Sequence, residues 1–169
     1  MNTNTYFDKK TKLLIHVPGG GFQLETEMLI NRLTNSRNLT LILPSDSTKQ
    51  PWMDSYHIET ITPLGTRANN KPLHVLSCIF KNLFQSIKIL KKTQPECLIC
   101  IGSSICIPSF AIAKMAKIPR IFIESITRTD TLSETGKIIQ KYKLSSRFYV
   151  QWPEQSREKD GLLYRGTVL

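Results

Sequence analysis

The sequence predicts an α/β domain built on a doubly wound, mostly parallel sheet. Two observations carry that expectation. Short apolar runs of strand length alternate with segments of helical periodicity, the pattern of repeated βαβ units. Several of these runs stop at small or turn-forming residues: Gly19, Gly20 and Gly21 after the first, Pro44 after the second, and Gly102, Ser103 and Ser104 after residues 97–101. Such punctuation is expected where a strand hands over to a crossover.

The elements follow in order. Residues 12–17 read as the first strand and residues 23–36 as a helix, with Phe22, Leu29 and Leu33 toward one face. Residues 39–43 are a second strand stopped by Pro44, and a polar stretch at 45–56 leads to a shorter strand at 57–61. A loop at 62–71 precedes Pro72, which suits the first turn of a long helix running to residue 93. Then come a buried strand at 97–101, a helix at 108–117, a strand at 120–123, a helix at 133–142 and a strand at 147–150. The tail beyond Gln151 reads as irregular. Residues 1–11 are expected to be a loosely ordered leader, and residues 12–169 a single domain, a length that supports one core.

Composition narrows the class. A chain with 40% hydrophobic and 21% charged residues is globular rather than disordered. The formal charge of +10 should attract an anionic partner such as a membrane surface or a phosphorylated substrate. The basic residues are scattered and no aromatic-plus-basic RNA signature is present, so no nucleic acid is expected as a partner. No apolar run approaches the ~20 residues that span a bilayer. Residues 1–5 lack the charged and apolar regions of a signal peptide, which leads us to expect a cytoplasmic protein. Cys97 and Cys100 have metal-like spacing, but three residues apart on a strand they point to opposite faces. They read as buried thiols, and no metal site is expected.

Topology also predicts a site. In open α/β sheets, ligands bind at the carboxyl ends of the strands. The turns at Gly19–Gly21 and Gly102–Ser104, the segment 124–128 and the segment 151–154 all follow strands, so they should gather along one edge. Gly19, Gly20 and Gly21 can bring backbone N–H groups close to an anion at a helix N-terminus, or can form an ordinary tight turn. Gly102, Ser103 and Ser104 offer the same two readings. Glu124, directly after a strand, is expected to be exposed at the cleft edge, where it could act as a base, bind a sugar hydroxyl, or pair with Arg128 or Arg120. Arg128 could meet a phosphate or be a surface side chain. His16, inside the first strand, reads as a packed core histidine. No nucleophile elbow or metal-binding histidine pair is present.

The long helix leaves two readings open. Leu73, Leu76, Ile79, Phe80, Leu83, Phe84, Ile87 and Leu90 fall within an arc of about 140°, a normal width for a buried face. Lys81, Lys88 and Lys92 lie beside it. This face can pack on the sheet, or Phe80 and Phe84 can dip into a membrane surface while Lys81 and Lys88 meet anionic headgroups, and both hold if the arc is wide enough to share.

Four stretches in order carry a resemblance: the glycine turn, C-L-I-C-I-G-S-S with Ile107-Pro108 behind it, I-F-I-E-S with Arg128, and Y-V-Q-W-P-E before Tyr164-Arg165-Gly166. Together they resemble the acceptor-side subunit of the bipartite UDP-N-acetylglucosamine transferase of lipid-linked oligosaccharide assembly, and its bacterial counterparts in capsule and exopolysaccharide synthesis. The resemblance implies a Rossmann-like domain corresponding to the N-terminal half of a GT-B glycosyltransferase. It implies a polyprenyl-diphosphate-linked saccharide held near Gly19–Gly21, Gly102–Ser104 and Arg128, with Gln151, Trp152 and Glu154 at the cleft edge or facing a partner. No cofactor is expected on this chain, because the UDP-sugar donor belongs to the partner subunit. The implied location is peripheral, on the cytoplasmic face of a membrane. Family members usually carry a histidine after the paired glycines as a candidate base. Gly21 or Phe22 stands there in this sequence, and neither takes a proton. Glu124, a non-catalytic recruiting role, or a free-standing nucleotide-binding enzyme are the alternatives that follow.

Overall fold

The computed structural model describes residues 10–33, 38–64 and 72–168. Among these described residues, seven strands form one sheet in the order β3-β2-β1-β4-β5-β6-β7. They are β1 (Leu13–His16), β2 (Leu39–Pro44), β3 (His57–Ile61), β4 (Cys97–Ile101), β5 (Arg120–Ile123), β6 (Arg147–Val150) and β7 (Leu162–Tyr164). Every pairing is parallel. Four helices, α1 (Phe22–Arg32), α2 (Pro72–Thr93), α3 (Ile107–Met115) and α4 (Glu134–Lys141), supply the longer crossovers. The strand order reverses between β1 and β4, which opens a crevice at their carboxyl ends.

The predicted strands β1 to β6 are all present, and the central β1 and β4 read most clearly because a strand covered on both faces must be apolar throughout. Leu14, Leu98, Cys100, Phe122 and Phe148 pack on the side of α3 and α4. Ile15, Leu41, Cys97 and Ile99 pack on the side of α1. Cys97 and Cys100 thus lie on opposite faces as the spacing predicts, and burial pushes the Cys97 thiol up to about 11. At the start of β5 the buried Arg120 gathers carbonyls: its Nε donates to Leu144 at 2.6 Å, and its Nη1 donates to Ala113 at 3.2 Å and to Ile118. This places a cation at the C-terminal end of α3, where it is electrostatically favoured.

Two expectations are corrected. The tail is not irregular throughout: after Gly161, in the left-handed region at φ 77°, β7 joins the sheet parallel to β6. The larger correction concerns α2. Its apolar arc faces the protein only in part: Leu83 and Ile87 are half-buried and Leu90 is buried, but Leu73 is 81% exposed, Phe80 53% and Phe84 70%. The helix buries Cys78, Asn82, Ser86, Ile89 and Leu90. Asn82 Nδ2 donates to Thr62 O at 2.7 Å, and Ser86 Oγ donates to Asn82 Oδ1 at 3.2 Å, so the inward polar groups are satisfied. Small side chains on this side, Cys78 and Ser86 among them, let α2 lie close against α3, whereas Leu73, Leu76, Phe80 and Phe84 face outward. Among the described residues, no helix is long and apolar enough to cross a membrane.

Candidate functional site

The crevice between β1 and β4 is built from backbone first. After β1 the chain passes Gly20, at φ 71°, and enters α1 at Gly21 with no side-chain cap. Gln23 N donates back to Gly20 O at 3.0 Å, no side chain caps the turn, and the helix dipole adds a positive end. After β4 the chain turns at Gly102, at φ 61°, where any Cβ would run into the Phe22 ring. Only glycine lets the two turns approach so closely. Ser103 then caps a short 3-10 turn, its Oγ accepting from Ile105 N, and Ser104 stays exposed.

These turns enclose a cleft of about 310 Å3 whose lining includes Gly19, Phe22, Asp46, Ser47, Ser103 and Ser104. The predicted gathering of Gly19, Ser103 and Ser104 is thus present. Gly20 and Gly21 are exposed on the adjoining rim, while Gly102 is buried beneath Phe22. Arg128 does not line this cleft. It is exposed on the loop after β5, where its backbone N–H donates to Ser125 O at 3.0 Å.

Glu124 is the principal correction within the site. Its side chain is completely buried rather than exposed at the cleft edge. One carboxylate oxygen accepts from Ser125 N at 3.1 Å, and the other accepts from Ser133 N and Oγ, both at 3.0 Å. Ser133 Oγ in turn accepts from Gly136 N at 2.9 Å, which caps α4. A Cβ on Gly136 would strike the Glu124 carboxylate. Burial raises the Glu124 carboxyl above its usual range, opposed by the hydrogen bonds from Ser133 and Ser125. Glu124 therefore brackets the loop between β5 and α4.

Gln151 and Trp152 are also internal ties rather than exposed edge groups. The buried Gln151 donates through Nε2 to Glu25 Oε2 at 2.8 Å and to Glu124 O at 2.9 Å, and accepts from Val168 N at 2.9 Å. Trp152 Nε1 donates to Ile126 O at 2.7 Å, and Glu154 alone of the three is exposed. Sequence reasoning missed the hub of this network, Glu25. From the first turn of α1 its buried carboxylate accepts from Ser125 Oγ at 2.7 Å, Ile126 N at 3.1 Å and Gln151. An acid in a first helical turn reads as a dipole-favoured surface group, and only the tertiary fold turns it inward. It also missed Asp46.

The histidines lie outside the cleft. His16 is fully buried, and burial lowers its pKa to about 3, so it is neutral. Its Nε2 lies 2.8 Å from Ser109 Oγ, and that hydroxyl donates to Cys106 O at 2.9 Å, so Nε2 carries the proton. His57 Nε2 lies 2.8 Å from Glu59 Oε1, and His74 Nε2 lies 3.6 Å from Cys78 Sγ. No group of three or more potential metal-binding side chains occurs among the described residues.

A second, larger concavity of about 620 Å3 runs along the α1 face of the sheet. Its lining includes Ile99, Ile121, Ile123, Tyr149, Arg147 and Arg165, and it shares no residue with the glycine-turn cleft. The first concavity holds the convergent polar groups, and the second is an apolar groove.

Residues 45–168 match the family model described as oligosaccharide biosynthesis protein Alg14 like. The chain is 26% identical over 149 residues to a protein named UDP-N-acetylglucosamine transferase subunit ALG14 from Mus musculus, covering 85% of this chain and 66% of that one. It is 25% identical over 192 residues to a protein of the same name from Cryptococcus neoformans, covering 96% and 82%. The chain thus spans just under two thirds of the mouse relative. Among solved structures, MurG of Acinetobacter baumannii superposes with a TM-score of 0.69 at 13% identity, over 92% of this chain and 45% of that one. The UDP-GlcNAc 2-epimerase of Methanocaldococcus jannaschii gives 0.62 at 14% identity, over 93% and 46%. At these identities the likeness is one of fold: a Rossmann-like α/β domain that matches a little under half of each larger chain.

Proposed function

The chain belongs to the family of Alg14-like oligosaccharide biosynthesis proteins, and on that premise we propose that it is the acceptor-side subunit of a two-component UDP-sugar glycosyltransferase. In this reading it holds a polyprenyl-diphosphate-linked saccharide and works at the cytoplasmic face of a membrane as a peripheral protein. A separate subunit binds the donor, UDP-N-acetylglucosamine by analogy with the relatives' printed names.

The observation that carries the proposal is a shared edge. The uncapped start of α1 and the Ser103–Ser104 turn meet in one cleft, suited to a diphosphate. Because α2 follows β3, its first turns rise from the same carboxyl edge of the sheet. From there Leu73, Leu76, Phe80 and Phe84 form an exposed stripe flanked by the exposed Lys81 and Lys88. Apolar side chains entering the interface and lysines meeting anionic headgroups would seat the domain with its cleft near the bilayer. Each lysine near such a surface contributes about 1 kcal/mol. The apolar groove on the other face gives a partner chain a surface to bury.

The division of labour is tested by calorimetry. UDP-N-acetylglucosamine titrated into this chain alone should give no saturable heat, and the same titration into the partner subunit should give a binding isotherm. Saturable binding by the isolated chain would favour a free-standing nucleotide-binding enzyme instead.

A further inference from the structure

The reaction proposed above requires a proton acceptor at the acceptor hydroxyl, and neither the glycine turn, Glu124 nor His16 supplies one. Gly21 and Phe22 carry no titratable group. Glu124 is completely buried and bracketed by Ser125 and Ser133. His16 is fully buried, with its one N–H committed to Ser109.

Asp46 stands in a different position. Among the described residues lining the glycine-turn cleft, it is the only ionisable side chain. It is exposed, and among the described residues it has neither a hydrogen-bond nor an ion-pair partner. Its loop is nevertheless fixed. Ser45 N donates to Ile61 O at 2.9 Å, and Ser47 N closes a turn on Pro44 O at 3.0 Å. From the first turn of α1, Gln23 Nε2 reaches across to Ser47 Oγ at 3.1 Å and Thr48 O at 3.0 Å. Asp46 thereby sits on a tied loop in the lining of the same cleft as Gly19 and Ser103–Ser104. An anion left unpaired beside a site suited to a diphosphate is unfavourable to that diphosphate, so its use lies elsewhere on the ligand.

We infer that Asp46 is the catalytic base of this subunit, receiving the proton of the saccharide hydroxyl that attacks the donor. This rests on the acceptor-side reading given above. With the diphosphate at the glycine and serine turns, the sugar extends across the cleft toward Asp46. The hydroxyl oxygen forms its bond to the anomeric carbon of the UDP-sugar. The bond from that carbon to the UDP oxygen breaks, and UDP leaves with the electron pair. The hydroxyl proton passes to the Asp46 carboxylate.

The test compares wild type, Asp46→Asn and Asp46→Glu, each assembled with the donor-binding subunit and assayed with UDP-N-acetylglucosamine and a synthetic isoprenyl-diphosphate N-acetylglucosamine. Asp46→Asn should lower kcat by about 100-fold or more while the acceptor KM stays within about threefold, the signature of a lost base. Asp46→Glu should recover about a tenth of the wild-type kcat, because the proton acceptor is restored at a longer reach. Melting curves and complex formation should be the same for all three. Asp46→Asn turning over within about threefold of wild type would overturn the assignment and leave the chain a recruiting scaffold. A defect confined to acceptor KM would also overturn it, making Asp46 a binding group only. A wild-type complex that transfers no sugar would instead remove the acceptor-side reading itself, and the assignment with it.

Discussion

His16 shows how one side chain limits the conditions under which this sheet persists. It sits in β1 with no exposure, Nε2–H given to Ser109 and Nδ1 left without a partner. Protonating it inside the core would strand a charge, so its folded pKa falls to about 3 from 6.5. The sign follows directly. Above pH 6.5 both states are neutral at this residue and stability is unaffected. As pH falls toward 3, the unfolded chain takes a proton that the folded chain refuses, and stability is lost. At pH 5 the loss from His16 amounts to about 2 kcal/mol relative to pH 7. Urea unfolding of wild type and His16→Gln at pH 5, 6 and 7 measures it. The variant should lose less stability on acidification, and parallel pH dependences for the two proteins would show that His16 does not titrate this way.

Among the elements, α2 separates periodicity from burial. Its apolar arc is plain in the sequence, yet periodicity says only that one face is apolar, not what covers it. Here Cys78, Asn82 and Ser86 make the inward contact, and Phe80 and Phe84 are left outside. Replacing Phe80 and Phe84 together with serine should therefore leave the free energy of unfolding within about 0.5 kcal/mol of wild type. The same double variant should bind vesicles containing anionic lipid at least about tenfold more weakly, since each phenylalanine would forfeit its burial in the interface. Co-flotation with vesicles measures the binding. Loss of stability with vesicle binding intact would mean that the stripe packs against protein instead.

The whole molecule was legible to different depths. The central strands β1 and β4 could be read because they are apolar on both faces, the edge strand β3 from its short β-rich run, and the switch-point cleft followed from the alternation of strands and helices. β7 could not, since three residues after a left-handed glycine form no recognisable run. The site was legible where backbone makes it: Gly19, Ser103 and Ser104 follow from turns after strands. It was not legible where an acid's role depends on which way the fold turns it. Glu124 and Glu25 face inward as ties between loops, while Asp46, in a stretch that reads as polar loop, faces the cleft. Gly136 carries the same lesson, because a glycine in a helix looks like a weakness until the Glu124 carboxylate is found against it.

At this scale the central claim is that the chain is half of a transferase and supplies the acceptor side. Its most direct test is transfer from UDP-N-acetylglucosamine to an isoprenyl-diphosphate acceptor in anionic vesicles, with this chain titrated into a fixed amount of the donor-binding subunit. Product formation should be negligible with either chain alone and should rise to a plateau at equal amounts of the two. A donor-binding subunit that transfers at its full rate without this chain would contradict the account.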